Sequence, residues 1–462
     1  MTADIPVTLP LGEVFAIANE FERAGRLEEA ERLTRHALAA APDHPDVLHL
    51  AGILAFRRKV LPEALALMER ALALAPDAPL HLRNICELYR TLGRLDDALA
   101  AGQRAAELAP GDPMALHNLS ILHYERLEPD AALACADRAL ALEPNLPGAH
   151  FERAEVLLLQ GKMAEGWEEY EWRYRIAGAP QLMPPTDKPQ WDGAAMPETT
   201  LLLIADQGFG DVIQFARYIP WVLERAPKIA IAGSLEVMPL LRQIAPDVQV
   251  FQNWAECPAY TAFCPLSGLP RLHGTRVDNV PAPVPYLTAD PARVARWRAR
   301  LDQLTPTGYR RIAITWAGRP THNNDRNRST ALADFTPLAS LPNTALVSLQ
   351  KGDPAAQAGS FFGRAPLLNL GAEITDFADT MAILDCVDLL VSVDTSVVHL
   401  AGAMGRPAWV LLPRAPDWRW LLERRDSPWY PSLRLFRQDE RRRYRPLIEQ
   451  AAAEARARFA GA

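Results

Sequence analysis

The stretch "LLVSVDTSVVHLAGAMGRPAWVLL", residues 389–412, switches period twice. "LLVSV" (389–393) and "AWVLL" (408–412) are short runs rich in Val and Leu, the composition of strands buried on both faces. Between them "VVHLAGAM" reads as a helix. Gly405 and Pro407 close it, because Gly adopts a left-handed backbone and Pro cannot continue the hydrogen-bond ladder. Strand, turn, helix, strand predicts a parallel crossover unit. Asp394, Thr395 and Ser396 then occupy the turn at the carboxyl end of the strand. In doubly wound sheets, unpaired N–H groups and the positive end of a helix dipole meet ligands at that edge. The hydroxyls of Thr395 and Ser396 would add donors for a phosphate. The same residues equally suit an ordinary helix cap with His399 turned to the core, and the stretch alone leaves both readings open.

The alternation extends outward in both directions. "TLLLIA" (200–205), "KIAIAG" (228–233) and "VQVF" (248–251) belong to a first lobe. After the linker "VPAPVPYLTADP" and a helix rich in Arg and Trp come "RIAITW" (311–316) and "ALVSLQ" (345–350). Two α/β lobes with a cleft between them are expected, over residues 198–300 and 301–462, the second ending in a helix. The first lobe has its own turn, "DQGFGDVIQFARYIP" (206–220), presenting Gln207, Gly208 and Gly210. It lacks the third glycine of a dinucleotide fingerprint, since Ile213 stands there, and Asp211 would repel a pyrophosphate. A carboxylate at this turn suits a base that meets a neutral hydroxyl, or else a helix cap; a helix start lowers its pKa and weakens it as a base.

In "WAGRPTHNNDRNRS" (316–329), Arg319, Arg326 and Arg328 supply donor forks that match phosphate oxygens. Lys351 follows another strand and reads as a further phosphate contact or a solvated tip. His322 with Asp325 is too small a set to hold a metal, and none is expected. Trp418, Trp420, Trp429 and Tyr430 suit stacking on a base or sugar, or packing of the second lobe against the last helix; packing is preferred.

The first third is a repeat. Ala30, Ala64, Ala98 and Ala132 recur every 34 residues, with Gly166 in the fifth place, as do Ala37, Ala71, Ala105 and Ala139, and Pro42, Pro76, Pro110 and Pro144. Each unit reads as two amphipathic helices that approach at small residues and end at Pro. This pattern resembles the tetratricopeptide repeat, with Gly52 and Tyr89 in its small and aromatic positions, and about five units are expected over residues 11–178. "GWEEYEWRYR" (166–175) closes the series, its aromatics reading as a seal on the next domain. A Pro-rich connector follows at 179–197. By analogy with other solenoids, a polypeptide partner in the repeat groove is expected.

Composition sets the outer limits. A chain of 462 residues makes about three compact units at roughly 150 residues each. With 49% hydrophobic and 23% charged residues it is globular. "MTADIPVTLP" lacks the basic and apolar segments of a leader, and no apolar run nears the roughly 20 residues that span a bilayer, so a cytoplasmic protein without a transmembrane segment is expected. Five cysteines without a C-x-x-C pair are expected to be buried thiols. Residues 1–180 carry 18 Lys+Arg against 28 Asp+Glu, which argues against a nucleic-acid platform.

Taken together, "QGFGDVIQFARYIP" and "VDTSVVHLAGAMGRP" resemble the heptosyltransferase-like family of GT-B glycosyltransferases, over roughly residues 198–440. With the repeats, "GWEEYEWR", "SLQKG" and "PDWRWLLERRDSPWYPSLRLFRQ", the chain resembles bacterial tetratricopeptide-repeat proteins with a glycosyltransferase-like C-terminal region. The resemblance implies a solenoid followed by a GT-B fold of two Rossmann-like lobes, and inverting transfer from a nucleotide sugar without an obligatory cofactor or metal. It implies Asp211 as base, and Asp394, Thr395, Ser396 and His399 as donor-phosphate ligands, with Ser396 where the family usually has Gly. Arg326 or Arg328 stands in for the family's Lys. The similar domain order of O-linked N-acetylglucosamine transferases implies a protein acceptor. The alternatives are a non-catalytic tetratricopeptide scaffold and a heptose or polysaccharide transferase.

Overall fold

The computed structural model describes residues 10–176, 186–281, 284–322 and 324–460. Residues 179–185 of the expected connector, two residues of the second linker (282 and 283) and residue 323 lie outside the described residues. The chain divides into two compact units, Met1–Val156 and Leu157–Ala462. The division falls ahead of residue 178, the end expected from the repeat period.

The first unit is built of helix pairs. Leu11–Arg23 pairs with Leu27–Ala40, Pro45–Arg57 with Leu61–Leu74, Pro79–Thr91 with Leu95–Leu108, and Pro113–Glu125 with Pro129–Leu142. The alanines at both periodic registers are buried, because the paired helices touch where their side chains are smallest. Pro42, Pro76 and Pro110 follow the second helix of a pair, and Pro45, Pro79 and Pro113 open the next, where a missing N–H costs nothing. A further periodicity lies in the turn inside each pair: residues 25, 59, 93, 127 and 161 all have left-handed φ, between 61° and 77°. Gly fills three of these places; Lys59 and Leu127 fill the other two. Helix Pro147–Leu159 spans the division between the units.

The second unit holds two parallel sheets. In the first, β1 (Leu201–Ile204), β2 (Ile229–Ala232), β3 (Gln249–Phe251) and β4 (Ala262–Pro265) are ordered β3-β2-β1-β4. In the second, β5 (Arg310–Thr315), β6 (Thr344–Ser348), β7 (Leu367–Asn369), β8 (Leu389–Val393), β9 (Ala408–Leu412) and β10 (Leu433–Arg437) are ordered β10-β9-β8-β5-β6-β7. All pairings are parallel. β4, β7 and β10 were not read from the sequence: each is an outer strand, β7 has three residues, and β10 carries the half-buried Arg434 and Arg437. The last helix, Tyr444–Ala460, covers one face of the larger sheet, with Ile448, Ala451 and Ala455 among Ile312, Val391 and Leu411.

Helix Pro291–Leu304, which straddles the expected border at 300, packs on helix Phe377–Asp385 of the second lobe. Trp297 Nε1 and Arg293 Nη1 both donate to Oδ1 of the buried Asp379, at 3.1 and 3.0 Å. A buried carboxylate needs such partners, and they hold this helix against Phe377–Asp385. The described part of the connector is tied to the first sheet: the Phe263 N–H donates to Pro189 O (3.2 Å) and the Trp191 N–H to Phe263 O (2.8 Å), laying Gln190 along the outer side of β4. Trp167 Nε1 donates to Thr275 O (3.0 Å), and its ring meets Trp418 edge-on at 5.2 Å. The aromatics of residues 167–170 are therefore packing residues of the α/β unit.

Candidate functional site

β5 and β8 are neighbours, and from that pair the order runs through β6 to β7 on one side and through β9 to β10 on the other. The chains leaving β5 and β8 therefore turn to opposite sides, and the crevice at their carboxyl ends is where doubly wound sheets bind ligands. Three hydroxyls meet there: Thr395 Oγ1 lies 3.2 Å from Ser392 Oγ and 3.5 Å from Thr315 Oγ1. Thr395 is the N-cap of helix Ser396–Ala403 but makes no capping bond with its side chain. Thr395 and Ser396 are half-buried. At the end of β5 the Trp316 and Ala317 N–H groups donate to Gln350 Oε1 (3.0 Å each), and the Gly318 N–H to Ser329 Oγ (2.9 Å).

The first lobe reaches this edge through helix Phe209–Phe215, whose N-cap is the exposed Gly208. Gly210 lies so close to the Ser396 helix that a Cβ there would stand 2.8 Å from His399 Cδ2. Asp211, in the first helical turn, meets the guanidinium of Arg419 from the second lobe. Arg419 is buried: its Nε donates to Gln214 Oε1 (2.6 Å), its Nη1 to both oxygens of Asp417 (2.9 Å each), and it lies 4.1 Å over the Trp418 ring. Gln214 is fully buried, and its Nε2 has no partner among the described residues.

Electrostatics distinguish these groups. Burial pushes the Asp211 carboxyl up, against the pull of Arg419 and with the help of Asp417. The helix start therefore does not set its pKa. Burial works against the charge on Arg419, but Asp211 and Asp417 hold it firmly cationic. Burial and then the charge of Asp417 raise Asp394 to about 6, although Trp420 Nε1 donates to its Oδ2 at 2.9 Å. His399 is pushed down to about 3 by burial, then by Arg419, so it is neutral; its Nδ1 lies 3.1 Å from Tyr430 Oη.

Gly208, Gly210, Asp211, Asp394, Thr395, Ser396 and His399 thus fall in one neighbourhood, with Gln207 half-buried at its rim. Within it Asp394 and His399 lie beneath Trp420 and Tyr430. Arg328 is half-buried and its charge acts on both Asp394 and His399. Arg326 is exposed and faces a separate cavity. Lys351 is directed elsewhere, its Nζ donating to Ile374 O at 2.6 Å. Among the described residues no cluster of three or more His, Cys, Asp or Glu is placed to hold a metal, and no helix is long and apolar enough to cross a membrane. Arg419, Gln214 and Asp417 were missed from the sequence. Their signal was there: an Arg between two tryptophans in "DWRW" and a Gln inside the apolar run "DVIQFA" must find partners if buried.

The tetratricopeptide-repeat family profile matches residues 15–79, 61–113 and 117–178. Protein FlbA of Caulobacter vibrioides is 27% identical over 338 residues, covering 66% of this chain, more than the repeats occupy, and 54% of that protein. The chain thus spans about half the length of that curated relative. Among solved structures, TTC0263, a tetratricopeptide-repeat protein of Thermus thermophilus, is 22% identical, covering 36% of this chain and 92% of that one (TM-score 0.33). Pseudomonas aeruginosa pilF is 15% identical, covering 51% and 92% (TM-score 0.36). The N-terminal region of this chain carries tetratricopeptide repeats, followed by an α/β region of parallel sheets.

Proposed function

We propose that the α/β unit is a GT-B glycosyltransferase, moving a sugar from a nucleotide diphosphate to an acceptor hydroxyl on a polypeptide recognised by the repeats. The observation that carries this reading is the convergence at one sheet edge. The β5/β8 switch point, with Thr395, Ser396 and a helix start, is of the kind that receives phosphates, and a carboxylate from the other lobe lies beside it. The acceptor O–H proton passes to Asp211 as the oxygen attacks the anomeric carbon. The bond from that carbon to the diphosphate breaks, and its electron pair leaves on the diphosphate. Burial, by raising Asp211, improves it as a base. Arg328 and the Ser396 helix start are the donors available to the departing charge.

A second reading, a scaffold that binds but does not transfer, draws on the self-sufficiency of the cluster: Arg419 neutralises Asp211, and Trp420 covers Asp394. Calorimetric titration of the full chain with a panel of sugar nucleotides, in wild type and Ser396→Trp, tests the first reading. It requires a saturable donor that the substitution removes, and turnover with that donor that Asp211→Asn abolishes while binding persists. Folded protein that binds no sugar nucleotide overturns it. Binding without transfer, unchanged by Asp211→Asn, leaves the scaffold.

A further inference from the structure

One surface of the second lobe is not used by this reading. The loop after β5 and the turn between β10 and the last helix line an open surface cavity of about 360 Å³. Its lining carries four arginines, Arg326, Arg442, Arg443 and Arg445, against a single carboxylate, Asp334. Asp334 is engaged by the Thr330 hydroxyl. Arg445 is a wall residue, donating to Thr336 Oγ1 (2.7 Å) and pairing with Glu449 (3.0 Å). The two sides of the cavity are pinned together, because Tyr444 Oη donates to Asn327 O at 3.0 Å and the Tyr444 side chain is buried. Arg442 holds a left-handed backbone (φ 54°), a conformation that favours glycine. Like charges are thus gathered on a fixed frame at the start of a 17-residue helix.

We propose that this cavity binds a small molecule through a diphosphate group. Arginine forks match phosphate oxygens in pairs, which orthophosphate uses only in part, and the volume accepts a diphosphate with one attached ring. The inference does not rest on the transferase reading, since none of the residues of the Ser396 turn lines this cavity.

The test is calorimetry on the full chain with pyrophosphate, orthophosphate, ADP and UDP. Pyrophosphate is expected to bind at least tenfold more tightly than orthophosphate, with affinity falling as salt rises. Arg442→Gly/Arg443→Ser should weaken it at least tenfold, and Gly suits the backbone at 442, so the fold should hold. Arg326→Ser gives the same readout should the double variant fail to fold. Ser396→Trp should leave in place the pyrophosphate binding that the arginine variants remove. Tighter binding of ADP or UDP than of pyrophosphate, lost in the same variants, supports the site and assigns a nucleotide as its source. The proposal is overturned by absence of pyrophosphate binding at millimolar concentration, by unchanged affinity in the arginine variants, or by loss of all binding in Ser396→Trp.

Discussion

Removing the Arg419 guanidinium should be among the most damaging single changes in the α/β unit. Its side chain is 8% exposed, and it answers three groups at once: Asp211, Asp417 and Gln214. Arg419→Gln leaves two carboxylates without their shared cation. Breaking a buried pair by deleting one partner costs about 3–5 kcal/mol. Asp211 and Asp417 retain some water, at 22% and 33% side-chain exposure, which puts the expected loss at the lower end, about 3 kcal/mol. Asp211→Asn removes one charge but leaves the bidentate Asp417 contact, and should cost about 1–2 kcal/mol. The double variant should recover part of the sum, giving a coupling of about 1–2 kcal/mol. The assay is urea unfolding of the full chain followed by tryptophan fluorescence. All 11 tryptophans lie between residues 167 and 429, so the signal reports the second unit alone. A coupling below about 0.3 kcal/mol would refute the reasoning, leaving Arg419 held by the Trp418 stack and not by its carboxylates.

Asp394 and His399 should oppose each other in acid. The folded pKa of Asp394 is raised to about 6, so its contribution is greatest at low pH and is lost as pH rises from about 4 to 6. His399 is depressed to about 3, so its contribution is lost as pH falls below about 6.5. The stability difference between wild type and Asp394→Asn should therefore fall by about 2 kcal/mol from pH 4 to pH 6; a flat difference would contradict the burial argument. Lys59→Gly, at an exposed left-handed position filled by Gly in three other repeats, should stabilise the first unit by about 0.5–1 kcal/mol, and Gly93→Ala should destabilise it by a similar amount, both read from thermal melts of helical circular dichroism. Gly210→Ala pushes a methyl into His399, which Tyr430 and Trp420 hold in place, and should cost about 1–3 kcal/mol in the same urea assay. A neutral result would mean that the Phe209 helix can draw away.

The repeats were legible because their determinants are local: a small residue where helices touch and a Pro where one ends. β5, β6, β8 and β9 were legible for the same reason, each being a short run rich in Val, Ile, Leu or Ala. β4, β7 and β10 were not, since they are defined by the neighbour they lie against. The site divided along the same line. The turns at 208–211 and 394–399 carry their chemistry in adjacent residues, whereas Arg419 reaches Asp211 across more than 200 positions. Lys351 looked free for a ligand only because its carbonyl partner, Ile374, lies on another loop.

The strip at Pro189–Trp191 has a practical corollary. Pairing with Phe263 shields the outer margin of β4, which would otherwise present open donors and acceptors to any passing strand. A shortened α/β fragment beginning at Thr200 would bare that margin and strip Trp191 from its buried place. Such a fragment should self-associate through edge pairing at β4, where one starting before Trp167 keeps that margin covered.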